Sequence, residues 1–169
     1  MKTIVEVLHY HDWWNLHSDL HMRKEKIDKF CMKCAIASAE MSDAVRKKVG
    51  AVIAREGRIL ASGYNGQPRG IDNCWEIANN ENELVTKATV IHAEMNALLQ
   101  AGWQEGKGNL TGCVMYVARK LNKSGFGEAC PFPTCTAAII DSGIKKVVYT
   151  NDNGYSIRIM KELKGWQEI

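Results

Sequence analysis

The sequence predicts a three-layer α/β domain, a central mixed sheet flanked by helices. Three observations predict it. Short β-branched runs alternate with stretches of helical period, in the order helix, hairpin, helix, strand, helix, strand. Glycines stand where helices are expected to stop, at Gly102 and Gly143. The 169 residues, 46% hydrophobic and 24% charged, suit one soluble globular domain.

The elements follow in order. Residues 1–25 form an arm that periodicity does not assign, part of it helical. It holds His9, His11, His17 and His21 with the adjacent Trp13 and Trp14. The core is expected over 26–165. From 28 to 41, Phe30, Cys31, Cys34, Ala37 and Met41 mark one face of a helix. "VGAVIA" (49–54) and "GRILASGYNG" (57–66) read as a hairpin turning at Glu56-Gly57. "GYNGQPRG" is a loop, and 71–90 is polar and irregular. A helix is expected over 92–102 and a strand over 113–118. The loop "RKLNKSGFGEA" precedes a helix over 134–142, then come a strand over 145–150 and an amphipathic helix over 155–164. Later strands are expected to run parallel through right-handed crossovers. The helix starts at His92 and Thr134 would then face the same strand ends, where clefts form in open α/β sheets.

Composition excludes several classes. No apolar run approaches the roughly 18 residues of a membrane span. The N-terminus lacks a signal peptide's apolar region, so a cytoplasmic protein is expected, in the host cytoplasm if viral. Six cysteines there read as thiols or metal ligands rather than disulfides. A net charge of +3 does not argue for nucleic acid.

Two stretches carry chemistry. "HAE" opens a helix: His92 can ligate a metal and Glu94 can move protons. Alone, such a pair is most often a satisfied surface pair. About 40 residues later, "EACPFPTC" (128–135) opens another helix, where a thiolate is stabilised by the helix N-terminus or a metal. One histidine and cysteines from adjacent helix starts can supply three protein ligands, leaving zinc's fourth position for water.

The chain resembles the zinc-dependent cytidine deaminase superfamily, whose signature is His-x-Glu followed by Pro-Cys-x-x-Cys. It is most similar to deoxycytidylate (dCMP) deaminases, viral ones included. "VGAVI", "GYNGQPRG", "HAEMNAL" and "AIIDSGIKKVVY" carry the likeness, in the family's order over roughly 28–150. The resemblance implies a single deaminase domain spanning 1–169 with a cytidine-deaminase-like fold. It implies hydrolysis of dCMP to dUMP and ammonia, Zn2+ held by His92 and two cysteines, and Glu94 as the proton carrier beside zinc-bound water. It implies that the Ala93 backbone and Asn65 contact the substrate, while Val49 and Ala51 wall the base pocket. Asn65 can instead be a turn residue tolerating a left-handed backbone. The likeness further implies a homo-oligomer, hexamer or dimer, with dCTP and dTTP as effectors and Mg2+ accompanying the nucleotide. The other functions kept open are deamination of another cytosine-containing nucleotide or nucleic acid, and a non-catalytic nucleotide-binding relative.

The chain departs from the family pattern at three points. Cys135 takes the second cysteine's place, but Phe132 stands where the first belongs. Cys130 can take over, giving the ligand set His92, Cys130 and Cys135. Alternatively zinc is held with a ligand from elsewhere, or the metal is lost. Second, "RKLNKSGFGEA" is longer than the family's connection; it is a phosphate-binding flap or a plain solvated basic loop. Third, no spacing chooses the phosphate-binding cation among Lys87, Arg69 and the Arg119, Lys120 and Lys123 of that loop. Cys31, Cys34 and Cys74 offer a second zinc site, with core packing the plainer reading of the first two.

Overall fold

In the computed structural model, which describes residues 10–72, 74–105, 109–121 and 124–159, a mixed sheet lies between helices on both faces. The chain enters through α1 (Tyr10–Glu40) and forms the hairpin β1 (Lys48–Arg55) and β2 (Arg58–Tyr64). A small outlying hairpin follows, β3 (Glu76–Ala78) and β4 (Leu84–Thr86). Then come α2 (Ala93–Glu105), β5 (Val114–Lys120), β6 (Phe126–Gly127), α3 (Pro133–Asp141), β7 (Lys146–Asn151) and β8 (Gly154–Ile159). The strand order is β2-β1-β5-β7-β8, with β6 beside β5. Strands β5 and β7 run parallel through the α3 crossover, as the sequence predicts.

Alternation along the strands sorts the core into two halves. Val52 and Ala54 of β1, with Tyr116 and Ala118 of β5, pack under α1 against Cys31, Met32 and Ala35. Ala51 and Ile53, with Met115 and Val117, pack under α2 and α3 against Ala97 and Ile139. Two glycines let the helices come this close. A β-carbon on Gly50 would lie 2.2 Å from the Ala35 carbonyl oxygen of α1. One on Gly63 would lie 2.5 Å from the Ala97 nitrogen of α2. Glu56 and Gly57, at φ of 50° and 83°, close the β1–β2 hairpin as the sequence predicts. Asp28 ties α1 to the sheet. Its carboxylate accepts from the Tyr116 hydroxyl at 2.6 Å and lies 3.3 Å from Lys146 Nζ.

Several expectations need correction. The final helix over 155–164 is not present among the described residues. Gly154–Ile159 is strand β8, paired antiparallel to β7. Asn151 Oδ1 caps the turn by accepting from the Asn153 backbone, and Gly154 takes a φ of 127°. Residues 160–169 lie outside the described residues. Helix α2 runs through Gly102 to Glu105 rather than stopping there. Helix α1 begins at Tyr10, inside the expected arm, and its buried face is one step away from the expected one. Cys31, Met32, Ala35 and Ala39 are buried, whereas Phe30 and Met41 are exposed. Within 71–90 the β3–β4 hairpin adds order that polarity concealed. No described helix is long and apolar enough to cross a membrane.

The two kinds of glycine predict opposite outcomes. Gly50→Ala pushes a methyl into the α1 backbone and should lower stability by about 2 kcal/mol or more. Gly102→Ala has open space for its β-carbon and should raise stability by up to about 1 kcal/mol. Urea unfolding midpoints of the two variants test this.

Candidate functional site

Local structure delivers His92 to the sheet edge. The loop after β2 pairs with the segment before α2, the Gly66 and Ile91 backbones exchanging bonds of 3.0 and 2.8 Å. Asn96, one turn into α2, donates through Nδ2 to the Tyr64 carbonyl at 2.7 Å. Together these fix the start of α2 against the end of β2. On the other side of the cleft, Pro133 opens α3 behind an extended Phe132, at φ −63° and ψ 160°. The Thr136 hydroxyl donates to the Pro131 carbonyl at 3.3 Å and braces that entry. Cys135 lies on the first turn of α3, next to the helix N-terminus.

These two helix starts converge. His92 Nδ1 and Cys135 Sγ are 3.3 Å apart. With a Glu94 carboxylate oxygen they form a group whose donor atoms all lie within 4.8 Å of one another. Glu94 and Cys135 are buried, at 4% and 1% exposure. Burial first, and then the Glu94 carboxylate, push the Cys135 thiol up to about 12, against a hydrogen bond from Thr134 that lowers it. Burial also raises Glu94, opposed by a backbone hydrogen bond and by His92.

A divalent cation fits this donor set. Zinc with one imidazole nitrogen and one thiolate, at bond lengths of about 2.0 and 2.3 Å, holds those atoms about 3.5 Å apart. His92 and Cys135 already stand near that distance. A cation would also relieve the two buried acids, since it favours their deprotonated forms.

The group borders a cavity of about 600 Å³. Val49, Asn65, Ala93 and Cys130 share its wall with His92 and Glu94. Ala51 does not; it is fully buried in the core. Cys130 is half-buried on the wall and stands outside the three-donor group. Phe132 is 59% exposed, and its ring lies 5.4 Å from the His92 ring at 56°. Asn65 Oδ1 accepts from the Val49 backbone at 2.9 Å, and its Nδ2 donates to the Lys47 carbonyl at 2.8 Å. That clamp, not a left-handed backbone, is its structural task, because Asn65 has no positive φ.

Arg119 sits on the cavity wall, as does Lys47, whereas Arg69 and Lys87 do not. The position of Arg119 was legible in the alternation Met115, Val117, Arg119, had the strand been carried past Ala118. Lys123 lies outside the described residues. Cys31 and Cys34 pack in α1, and exposed Cys74 donates its thiol to the Glu76 carbonyl at 3.3 Å. They form no second metal group among the described residues.

Comparison with known proteins gives consistent matches. Residues 25–151 match the sequence model of the cytidine and deoxycytidylate deaminase zinc-binding region. The deoxycytidylate deaminase of Saccharomyces cerevisiae is 33% identical over 142 residues, covering 81% of this chain and 41% of the yeast protein. This chain therefore spans less than half of that relative's length. The deoxycytidylate deaminase of Mycobacterium phage D29 is 31% identical over 142 residues, covering 78% of this chain and 100% of the phage protein. A crystal structure of dCMP deaminase from the cyanophage S-TIM5, in complex with dCMP and dUMP, superposes with a TM-score of 0.61 at 32% identity. That match covers 75% of this chain and 82% of the cyanophage chain.

Without metal, the raised Cys135 thiol should be almost wholly protonated at pH 8 and thus a poor nucleophile. In chelator-treated protein at that pH, iodoacetamide should modify exposed Cys74 at least about a hundredfold faster than buried Cys135. Peptide mass spectrometry over a time course reads the ratio.

Proposed function

The chain belongs to the cytidine and deoxycytidylate deaminase family, and from that premise we propose that it hydrolyses dCMP to dUMP and ammonia. One observation carries the reading. His92 and Cys135 meet at 3.3 Å beside buried Glu94, at the edge of a cavity large enough for a nucleotide. The relatives named deoxycytidylate deaminase support dCMP as the substrate, as does the cyanophage enzyme seen with dCMP and dUMP.

The family's zinc would be held by His92 and Cys135, with Cys130 from the cavity wall as the third protein ligand. When bound, the ion supplies a Lewis acid that makes water nucleophilic near neutral pH. Glu94 does the proton work. It is buried beside the two ligands and can accept the water's proton and pass it to ring N3. It can then carry the proton of the new C4 hydroxyl to the amine, which leaves as ammonia while the C4 carbonyl forms. The Ala93 backbone and Asn65 orient the pyrimidine and sugar, and Val49 covers the base. Asn65 does so from a fixed position, since both its amide atoms are tied to the start of β1. Likeness to the family further supports a homo-oligomer, hexamer or dimer, with dCTP, accompanied by Mg2+, and dTTP as effectors in the cytoplasm.

Phe132 favours a second reading, a non-catalytic nucleotide-binding relative, because it occupies the expected place of a thiolate. Metal content and turnover separate the two. The enzyme reading expects about one zinc per chain, lost together with activity in Cys130→Ser. It also expects Glu94→Gln to keep zinc while dCMP turnover falls about a thousandfold. Metal analysis and a spectrophotometric screen of dCMP, dCTP, CMP, cytidine and deoxycytidine provide the measurements. Zinc indifferent to Cys130 defeats the ligand assignment, and a zinc-loaded chain inert on dCMP defeats the activity.

A further inference from the structure

We propose that Arg119, assisted by Lys47, forms an anion subsite in the cavity wall that reads the 5′-phosphate of a nucleoside monophosphate. The identity of the nucleotide rests on the deaminase reading; the subsite rests on this chain's own geometry. Strand β5 continues past Ala118 because β6 folds back on it. Arg119 pairs with Gly127 and Lys120 with Phe126. Register then decides where each cation points. Across β1, Arg119 stands opposite Val49 and Lys120 opposite Lys48. Successive residues of a strand face opposite ways. Lys120 turns to the α1 face, where Glu40 pairs with it. Arg119 shares the other face with Val49, and both line the cavity. Lys47, two residues before Val49, lines it as well.

The seat for the guanidinium is built. The Arg119 backbone N–H donates to Thr150 Oγ1 at 3.0 Å, and that hydroxyl donates to the Gly127 carbonyl at 2.9 Å. Thr150 is buried, at 2% exposure. Gly127 leaves the room the side chain uses, since a β-carbon there would lie 3.3 Å from Arg119 Cδ and Cζ. Arg119 Nε is nevertheless buried without a hydrogen-bond partner. Lys29, Lys120 and Lys146 form their ion pairs elsewhere, with Glu25, Glu40 and Asp28. Glu128 lies on the same wall but is solvent-exposed, so water screens its charge. A charged fork held in place with a buried donor unused lacks an acceptor, and phosphate oxygens match that fork.

Calorimetric titration with dUMP and with deoxyuridine, neither of which carries an amine to lose, tests the subsite apart from catalysis. The wild-type chain should bind dUMP more tightly than deoxyuridine. Arg119→Ala should weaken dUMP binding about 10- to 100-fold, with a much smaller change for deoxyuridine. Arg119→Lys should keep part of the preference. Inorganic phosphate should compete with dUMP and not with deoxyuridine in the wild type, a readout that stands even should Arg119→Ala fail to fold. The proposal is overturned by a wild type that does not prefer dUMP, by absence of that competition, or by Arg119→Ala retaining the full preference. Loss of the preference in a chain inert on dCMP upholds the subsite and defeats the catalytic reading. Turnover of dCMP with an unchanged preference in Arg119→Ala does the reverse.

Discussion

The site depends on how closely α2 can approach the sheet. Gly63 has no side chain, and the α2 backbone occupies the place of one: its β-carbon would meet the Ala97 nitrogen at 2.5 Å and the Ala93 carbonyl at 2.6 Å. That contact lies one residue from where β2 ends and on the first turns of α2. It therefore sets the height of His92 over the strand edge. The Gly66–Ile91 bridge and the Asn96–Tyr64 bond keep the same register from the loop side. Gly50 performs the matching task for α1 on the opposite face. With both helices seated, the parallel β5–α3–β7 unit brings Cys135 to His92 at that edge.

Much of this was legible in the sequence because it is written in local chemistry. The Glu56-Gly57 turn, the β-branched run of β1 and Gly143 past the end of α3 each belong to one element and need no knowledge of the rest. The convergence of His92 and Cys135 followed from the parallel topology. Failures came where a tertiary contact overrides a local signal. Helix α2 passes through Gly102 because the fully buried stripe that leads up to it, Ala97 and Ala101, holds the helix against the sheet. The face of α1 was misplaced because small residues mark it. Ala35 and Ala39 fit against Gly50, while the larger Phe30 and Met41 point outward. Strand β8 was missed although "NDNG" is a turn and Tyr155, Ile157 and Ile159 alternate. The same residues also fit a helical period, and only the free edge of β7 decides between the two.

Asn65 shows how a loop residue can serve structure and site at once. Its amide bridges the backbones of Lys47 and Val49, and so fixes the stretch of β1 that forms one wall of the cavity. Removing the amide would leave the Val49 N–H and the Lys47 carbonyl without those partners, so this residue cannot be assigned to substrate contact alone. The same stretch carries Lys47 at the rim and Val49 beside Arg119, which makes the clamp a positioning device for both ends of the pocket.

The segment entering α3 explains how Cys130 and Phe132 both come to border the cavity. Phe132 is extended, and the rings of Pro131 and Pro133 restrict the backbone on either side of it. Residues two apart on an extended chain point the same way, while the one between points the opposite way. Pro131 is accordingly buried, and Cys130 and Phe132 line the cavity together. A thiol at 130 is thus two residues farther from the first turn of α3 than one at 132 would be, yet on the same side. Phe132 takes the nearer place and, though largely exposed, lays its ring beside that of His92. The chain therefore keeps two cysteines on the side of the ligand site while one ligand position carries an apolar ring. The ligand role proposed for Cys130 therefore asks a loop residue two places ahead of α3's entry to serve where the nearer position carries an apolar ring.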